Sequence, residues 1–448
     1  MKSSQIYRDA CYVVEKIKLS GFLAYFAGGP VRDMIMGCNS DDIDIATSAK
    51  PDEILSMFPK CYEIGAAFGI INVVVNETNF EVATFREERG YSDGRHPDEI
   101  SYTDNPALDA KRRDFTINSM FYDPIEDRIL DFEGGQKDIE DKILRTVGDA
   151  NARFSEDYLR ILRAVRFATR FGFKLDHNIP EAISKSLDGL NNISNERIRD
   201  ELNKMLTGSA PAEALKMLYE LGILDVILPE ISALVGVEQP KQYHPEGDVF
   251  VHTCLMLEQM EGASVELAWA VLLHDVGKPA TFSIGEDGVE HFYCHDRVGR
   301  EIAEKILKRF KFSNREIGDI ITSVGNHMKF AHVKEMRESK LKRLMADASF
   351  PLQLELHKLD CSSSHGKLDN YYFLKERLDN PEIEIELPKP LITGYDLINL
   401  GFKPGRKMGE LLQDVSDMHL EGKLTTKEEA LEYVREKFLS EEENDFSS

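Results

Sequence analysis

At 448 residues, with 42% hydrophobic and 30% charged side chains, the chain is too long for one core and too evenly mixed for a fibrous or disordered protein. A net charge of −24 argues against indiscriminate nucleic-acid coating, so a nucleic-acid partner has to be held by a local basic surface. No apolar run is long enough to span a bilayer, and the six cysteines form no Cys-x-x-Cys pair, as expected of reduced thiols in a cytoplasmic protein.

Residues 1–21 carry an amphipathic helix pattern closed by Gly21, without the continuous apolar centre of a signal peptide. Phe22–Phe26 reads as a short strand leading into Gly28-Gly29. Glycines let backbone amides approach a phosphate, Pro30 suits the first turn of a helix, and Gly37 suits its end. After a turn at Cys38-Asn39-Ser40, the run Asp42-Ile43-Asp44-Ile45 alternates as a strand does. Asp42 and Asp44 then share a face, where two carboxylates repel unless a cation such as Mg²⁺ sits between them. Taken singly, a Gly-Gly is an ordinary turn and an Asp-x-Asp an ordinary solvated edge. Ordered as strand, glycines, helix, turn and acidic strand, they suit nucleotidyl transfer.

Lys50–Phe58 is predicted helical, and 69–76 and 79–84 are predicted strands joined by a turn at Glu77-Thr78. Glu81 is either a third carboxylate for the metal site or a solvent-facing strand residue. Arg86 to Pro97 is polar and glycine-containing and reads as a mobile loop. In Lys111–Met120, Arg113 suits triphosphate oxygens, while Asp114 suits a ribose hydroxyl or a helix cap. Asp131 to Gly135 is a second glycine turn, a hinge or an ordinary loop.

Helical patterns dominate from Asp149. The helix predicted to start at an N-cap Ser155 and run to Arg170 places Leu159, Leu162 and Val165 toward the core and Arg163, Arg166 and Arg170 along a basic stripe. Between Asp149 and Lys174 six basic groups face three acidic ones, a local charge of +3. Asp157 and Arg160 are spaced as neighbours on one helix face. A carboxylate accepts from an amino group and an arginine donates to a ring nitrogen, a pattern that fits cytosine and adenine and refuses uracil and guanine. On spacing alone an ordinary surface ion pair is favoured. Ser194–Leu206 and Ala210–Leu228 follow as amphipathic helices, with Arg197 and Arg199 read as structural support.

From about Tyr243 onward, His252, His274-Asp275, His295, His327 and Asp360 fall on predicted helices, a donor set that suits a transition metal. Lys278 follows as a candidate phosphate ligand. Residues 394–438 read as helical, and LSEEENDFSS as a poorly ordered acidic end.

GGPVRDMIMG, DDIDIAT, RRDFTINSM, DFEGGQKDI with RTVGD, EDYLRILRAVRFA and ERIRDEL resemble, in order, the motif series of the class II tRNA nucleotidyltransferases, the CCA-adding enzymes and bacterial poly(A) polymerases. Residues 243–366 resemble the HD metal-dependent phosphohydrolases that some of these enzymes carry, and LITGYDLINLGFKPGRKMG resembles the C-terminal segment of such members. The resemblance implies an α+β fold. A nucleotidyltransferase-type, polymerase-β-like mixed-sheet head spans 1–148, a helical neck and body 149–235, an HD domain 236–368, and a helical tail 369–448 whose last ten or so residues are disordered.

It implies that Asp42 and Asp44 hold two Mg²⁺ ions. Gly29, Arg32, Arg113 and Asp114 would bind nucleotide, Asp157 and Arg160 would select C and A, and Arg163 and Arg166 would surround the nucleotide. His252, His274, Asp275 and Asp360 would form one transition-metal site, with His295 and His327 holding a second ion. The implied partners are the tRNA acceptor arm and 3′ end, CTP and ATP, with no membrane. Addition of A alone, poly(A) synthesis, and an HD nucleotidase or phosphodiesterase with a non-catalytic RNA-binding front half are the alternatives. The Arg86–Pro97 loop disfavours a CC-only enzyme.

Overall fold

The computed structural model describes residues 4–38, 42–65, 69–91, 94, 97–240, 242, 244–245, 247–286, 288–380 and 387–445. The chain divides into two compact units, Met1–Ala233 and Leu234–Ser448.

The first unit begins with α1 (Gln5–Leu19), whose first turn is capped by the Ser4 hydroxyl accepting from the Tyr7 amide at 3.1 Å. Then come β1 (Ala24–Ala27), α2 (Gly29–Ile35), β2 (Ile45–Thr47), α3 (Pro51–Met57), β3 (Cys61–Gly65), β4 (Ile70–Val75) and β5 (Thr78–Thr84). β6 (Arg86–Arg89), β7 (Glu99–Tyr102), α4 (Pro106–Lys111), β8 (Phe121–Asp123), β9 (Arg128–Leu130) and α5 (Gly135–Asp141) complete the sheet region. The sheet has seven strands in the order β3-β4-β5-β2-β1-β8-β9, and β2 runs parallel to β5. Val13, Val14 and Ile17 of α1 share a core with Phe26, Ile45, Ile71 and Val82, all buried. Each such side chain contributes about 1.5–3 kcal/mol by leaving water.

Several expectations shift here. The strand begins at Ile45, so Asp42 and Asp44 lie in the approach to β2 rather than inside it. The β4–β5 turn falls on Asn76-Glu77, both with positive φ (46° and 67°), one residue earlier than expected, because asparagine tolerates that region. The segment expected to be a mobile loop opens with β6, which pairs antiparallel with β7; residues 92, 93, 95 and 96 lie outside the described residues. The second glycine turn is a helix start, with Asp131 accepting from the amides of Gly134, Gly135 and Gln136 at 2.9 Å each.

The helical part of this unit comprises α6 (Ala150–Glu156), α7 (Leu159–Phe171), α8 (Ile179–Ser186), α9 (Asn195–Leu206), α10 (Pro211–Glu220), α11 (Ile223–Ile227) and α12 (Pro229–Ser232). The single helix expected from Ser155 to Arg170 is therefore two. Ser155 lies inside α6, and Asp157 is extended (φ −149°, ψ 105°) at the junction, where its side chain accepts from the Leu159 amide at 3.1 Å.

The second unit consists of α13 (Val249–Glu258), α14 (Val265–Leu273), α15 (Lys278–Thr281), a hairpin of Phe282–Ile284 with Glu290–Phe292, α16 (His295–Arg309), α17 (Asn314–Asn326), α18 (Glu338–Met345), α19 (Phe350–Ser363), α20 (Asp369–Asp379), α21 (Gly394–Asn399), α22 (Arg406–Leu420) and α23 (Lys427–Asp445). Trp269 is fully buried against Phe310 and Phe312. The acidic end expected to be poorly ordered continues α23 as far as Asp445; residues 446–448 lie outside the described residues, as do Asn39, Ser40 and Tyr243. Among the described residues no helix is long and apolar enough to cross a membrane.

Candidate active site

An open cleft of about 870 Å³ in the first unit is lined by Gly28, Gly29, Asp42, Asp44, Asp157 and Arg160, together with arginines of α7. The parallel register pairs Ile45 with Val82, so the residues before them, Asp44 and Glu81, are neighbours. Burial first, then Asp42 and Glu81, push the Asp44 carboxyl up to about 6 against the pull of Arg113. A carboxyl raised by carboxylate neighbours in this way is relieved by a cation, and an all-oxygen set suits Mg²⁺. The donors therefore fit the expected ion.

Gly28 has φ +74°, and a Cβ there would stand 2.9 Å from Arg113 Nη1, so glycine is needed for the close approach of that guanidinium. Arg113 donates to Asp109 at 3.2 and 3.3 Å and to the Asn118 carbonyl at 3.1 Å, and lies over the Phe121 ring. Arg32 is only 4% exposed. It donates to Asp33 (2.8 and 2.6 Å) and to Asn118 Oδ1 (2.6 Å), and stacks on Phe171. It braces the cleft floor through three of its five N–H donors and also lines the cleft.

Asp114 is buried and accepts from the Phe115 amide (2.8 Å), Asn118 Nδ2 (3.1 Å) and two nitrogens of Arg163 (2.8 and 2.6 Å). Burial works to raise its carboxyl, but Arg163 and Asn118 bring it down to about 2. Arg166, expected on the exposed stripe, is buried; its Nε donates to Glu201 at 2.6 Å and its guanidinium lies 4.2 Å from the Phe167 ring centre. Aromatic faces at Phe167 and Phe171 let four arginines crowd into one wall.

In the second unit two triads share Asp275: His252 and His274 with Asp275, and His295 and His327 with Asp275, each set of ligating atoms within 4.8 Å. Asp360 Oδ1 lies 3.1 Å from His252 Nε2. His274, His295 and His327 donate Nδ1–H to the carbonyls of Val271 (2.8 Å), Phe292 (2.8 Å) and Val324 (2.6 Å). A neutral ring that donates through Nδ1 presents an Nε2 lone pair. His295 Nε2 and His327 Nε2 then face each other at 3.1 Å, an arrangement relieved by a shared cation or proton. Burial pushes His327 down to about 4 despite Asp275, so it is neutral at pH 7. Burial works to raise the Asp275 carboxyl, yet His274, Lys278 and His295 together hold it well below the usual carboxylate range. Lys278, expected as a phosphate ligand, lies 2.6 Å from Asp275 Oδ2 and donates to Gln239. This buried nitrogen- and oxygen-donor set fits a transition-metal ion.

Residues 24–145 match the family described as poly A polymerase head domain, 172–234 the "Probable RNA and SrmB- binding site of polymerase A", and 290–434 tRNA nucleotidyltransferase domain 2. The chain is 31% identical to the CCA-adding enzyme of Bacillus subtilis (strain 168) over 430 residues, 96% of this chain and 97% of that one. It belongs to the CCA-adding enzyme family. With the CCA-adding enzyme of Geobacillus thermodenitrificans (strain NG80-2) it shares 42% identity over 271 residues, 60% of this chain and 63% of the relative. Its match to a second Geobacillus relative spans about half of that chain's length (54%). The crystal structure of the Bacillus stearothermophilus CCA-adding enzyme in complex with CTP superposes with a TM-score of 0.75 at 25% identity, covering 98% of this chain and all of that one.

Within this family frame, sequence reasoning missed most of the partners that hold the cleft's charged groups. Asp33, Asp109, Asn118 and Glu201 each fix a residue that spacing alone presents as acting singly. Arg197, read from the sequence as structural support, holds Asp157, and it sits with Glu201 in the quoted ERIRDEL run, four apart on α9.

Proposed function

We propose that this chain adds the terminal CCA to tRNA from CTP and ATP, without a nucleic-acid template. The carrying observation is one cleft in which the Asp42 and Asp44 carboxylates, with Glu81 acting on Asp44 from the neighbouring strand, share walls with Asp157 and Arg160. Asp42 and Asp44 would hold two Mg²⁺ ions, which supply charge neutralisation and a more acidic 3′-hydroxyl when bound. Arg113, which lies against Gly28, pairs with triphosphate oxygens, and Asn118 and Arg32 keep it in place. Arg163 and Arg166 wall the nucleotide. Asp114 orients Arg163, and a ribose hydroxyl would reach its carboxylate by displacing one of the four donors it already accepts. Asp157 accepts from the amino group of C or A while Arg160 donates to the ring nitrogen, so U and G, with the inverse pattern, leave both groups unmatched. The tRNA acceptor arm lies along the helical part, and the enzyme works in the cytoplasm, where its six free thiols stay reduced.

The test supplies tRNA lacking its 3′ end with CTP alone, ATP alone and both, and sequences the products. CC, nothing and CCA are expected respectively. A tail of A residues identifies a poly(A) polymerase, and extension only of tRNA already ending in CC identifies an A-only enzyme. Extension that survives in Asp42→Ala and Asp44→Ala removes the basis of the assignment.

A second activity is supported by the histidine cluster. His252, His274, Asp275 and Asp360, with His295 and His327, would hold a transition metal for phosphate-ester hydrolysis, and Lys278 holds the Asp275 carboxylate in place. Loss of metal-dependent phosphohydrolase activity in His274→Ala tests it.

A further inference from the structure

The two residues assigned to base choice are joined through the backbone, the Arg160 amide donating to the Asp157 carbonyl at 3.0 Å, while their side chains are held by other partners. Arg160 commits Nη1 to Glu156 Oε2 (2.6 Å) and to the Arg153 carbonyl (3.0 Å), and Nη2 to the Arg112 carbonyl (3.2 Å). Asp157 is held from α9, where Arg197 Nη2 lies 3.0 Å from Oδ2 and 3.3 Å from Oδ1. Asp157 Oδ1 also accepts the Leu159 amide, so the carboxylate is fixed from two elements at once. Tyr158, the next residue, is seated against Gly189, where a Cβ would run into its ring. The junction between α6 and α7 therefore has little room to turn, and the carboxylate plane is set by Arg197.

A carboxylate offers about four lone-pair positions. One nitrogen of Arg197 bridges the two oxygens and the Leu159 amide takes another position, which leaves Oδ2 an acceptor position on a residue that lines the cleft. Arg197 lines the same cleft. Without it only the Leu159 amide, among the described residues, holds the carboxylate, whose second oxygen is then free to rotate, and an acceptor turned toward the nearby Arg160 would cancel its donor.

We propose that Arg197 is a specificity-positioning residue. It holds Asp157 as an oriented acceptor and keeps it apart from Arg160, and thereby sets the preference for C and A over U and G. The proposal rests on the nucleotidyl-transfer reading above. Arg197 touches Asp157, not the reacting atoms, so its loss shows in discrimination before it shows in rate.

The experiment measures single-nucleotide addition by the full chain. CTP and UTP are compared on tRNA lacking CCA, and ATP and GTP on tRNA ending in CC. Variants are Arg197→Met, which keeps the stem and removes the donors, Arg197→Lys, and Asp157→Ala. In Arg197→Met the ratio of kcat/KM for CTP over UTP, and for ATP over GTP, is expected to fall about tenfold or more, mainly through lower KM for UTP and GTP. Arg197→Lys, which keeps the charge without the planar fork, is expected to lose about threefold. An equal loss for all four nucleotides, or unchanged ratios, overturns the assignment. If Arg197→Met does not fold, Arg197→Lys with wild-type ratios overturns it. Asp157→Ala separates the two levels. If it retains full discrimination, base selection by this segment fails. If it loses discrimination while Arg197→Met does not, only the role of Arg197 fails.

Discussion

Replacing Asp44 by asparagine should stabilise the metal-free protein while removing its activity. Asp44 titrates near 6 against an ordinary value of 3.8, so ionising it in the folded state is unfavourable by about two pKa units, or about 3 kcal/mol as an upper figure. The sign follows from proton binding. The folded state holds the Asp44 proton more tightly than the unfolded chain, so stability is greatest below 3.8 and is lost as pH rises toward 6. A neutral asparagine side chain carries no such penalty. In chelator the advantage of Asp44→Asn should be about 3 kcal/mol at about pH 7.5 and shrink to about 1 kcal/mol at about pH 4.5. For a unit of this size each kcal/mol moves Tm by about 2–4 °C. The assay is thermal unfolding of wild type and Asp44→Asn in chelator at both pH values, then in Mg²⁺. Magnesium should raise the wild-type Tm and leave the variant nearly unmoved. A variant no more stable than wild type in chelator at neutral pH, or equally stabilised by magnesium, would falsify the account of the acidic cluster.

Arg163→Ala should lose about 3 kcal/mol in urea unfolding, because it leaves the buried Asp114 carboxylate without its cation. Wild-type stability from this pair should hold above about pH 4 and fall as pH drops toward 2, where Asp114 protonates; a flat acid limb would count against it. Gly189→Ala drives a methyl into the Tyr158 ring and should cost about 1–3 kcal/mol. It should also blur base choice, measured as the CTP/UTP ratio. His274→Ala should cut transition-metal-dependent phosphohydrolase activity about a hundredfold or more while tRNA extension continues; equal loss of both would refute separate sites.

What the sequence revealed was whatever has a period. Short apolar, β-branched runs on either side of a turn in 69–84 marked β4 and β5, and the 3.6-residue rhythm of Leu159, Leu162 and Val165 marked the buried side of α7. The same rhythm ran on through Ser155 to Asp157 and hid the break there, since Asp157 interrupts the backbone without interrupting the pattern. Asp42 and Asp44 look like strand residues because they alternate with Ile43 and Ile45, yet they stand at the strand's mouth, where β2 has not begun. Pairings such as Asp114 with Arg163 and Arg166 with Glu201 join positions 49 and 35 residues apart and leave no periodic trace. They became visible only when α7 and α9 were packed.

Gly277 and Gly299 carry a lesson of their own. A Cβ on Gly277 would collide with the His295 carbonyl and stand 2.6 Å from the Gly299 amide, so two main chains press directly on each other between His274-Asp275 and His295. Side chains are interchangeable shims, and evolution can thicken or thin them; bare backbone against bare backbone cannot be adjusted that way. The spacing between the histidines on either side is thus pinned like the jaws of a fixed wrench. If the cluster holds a metal as proposed, retuning it for an ion of another size would have to proceed by swapping the gripping groups themselves, not by loosening their surroundings.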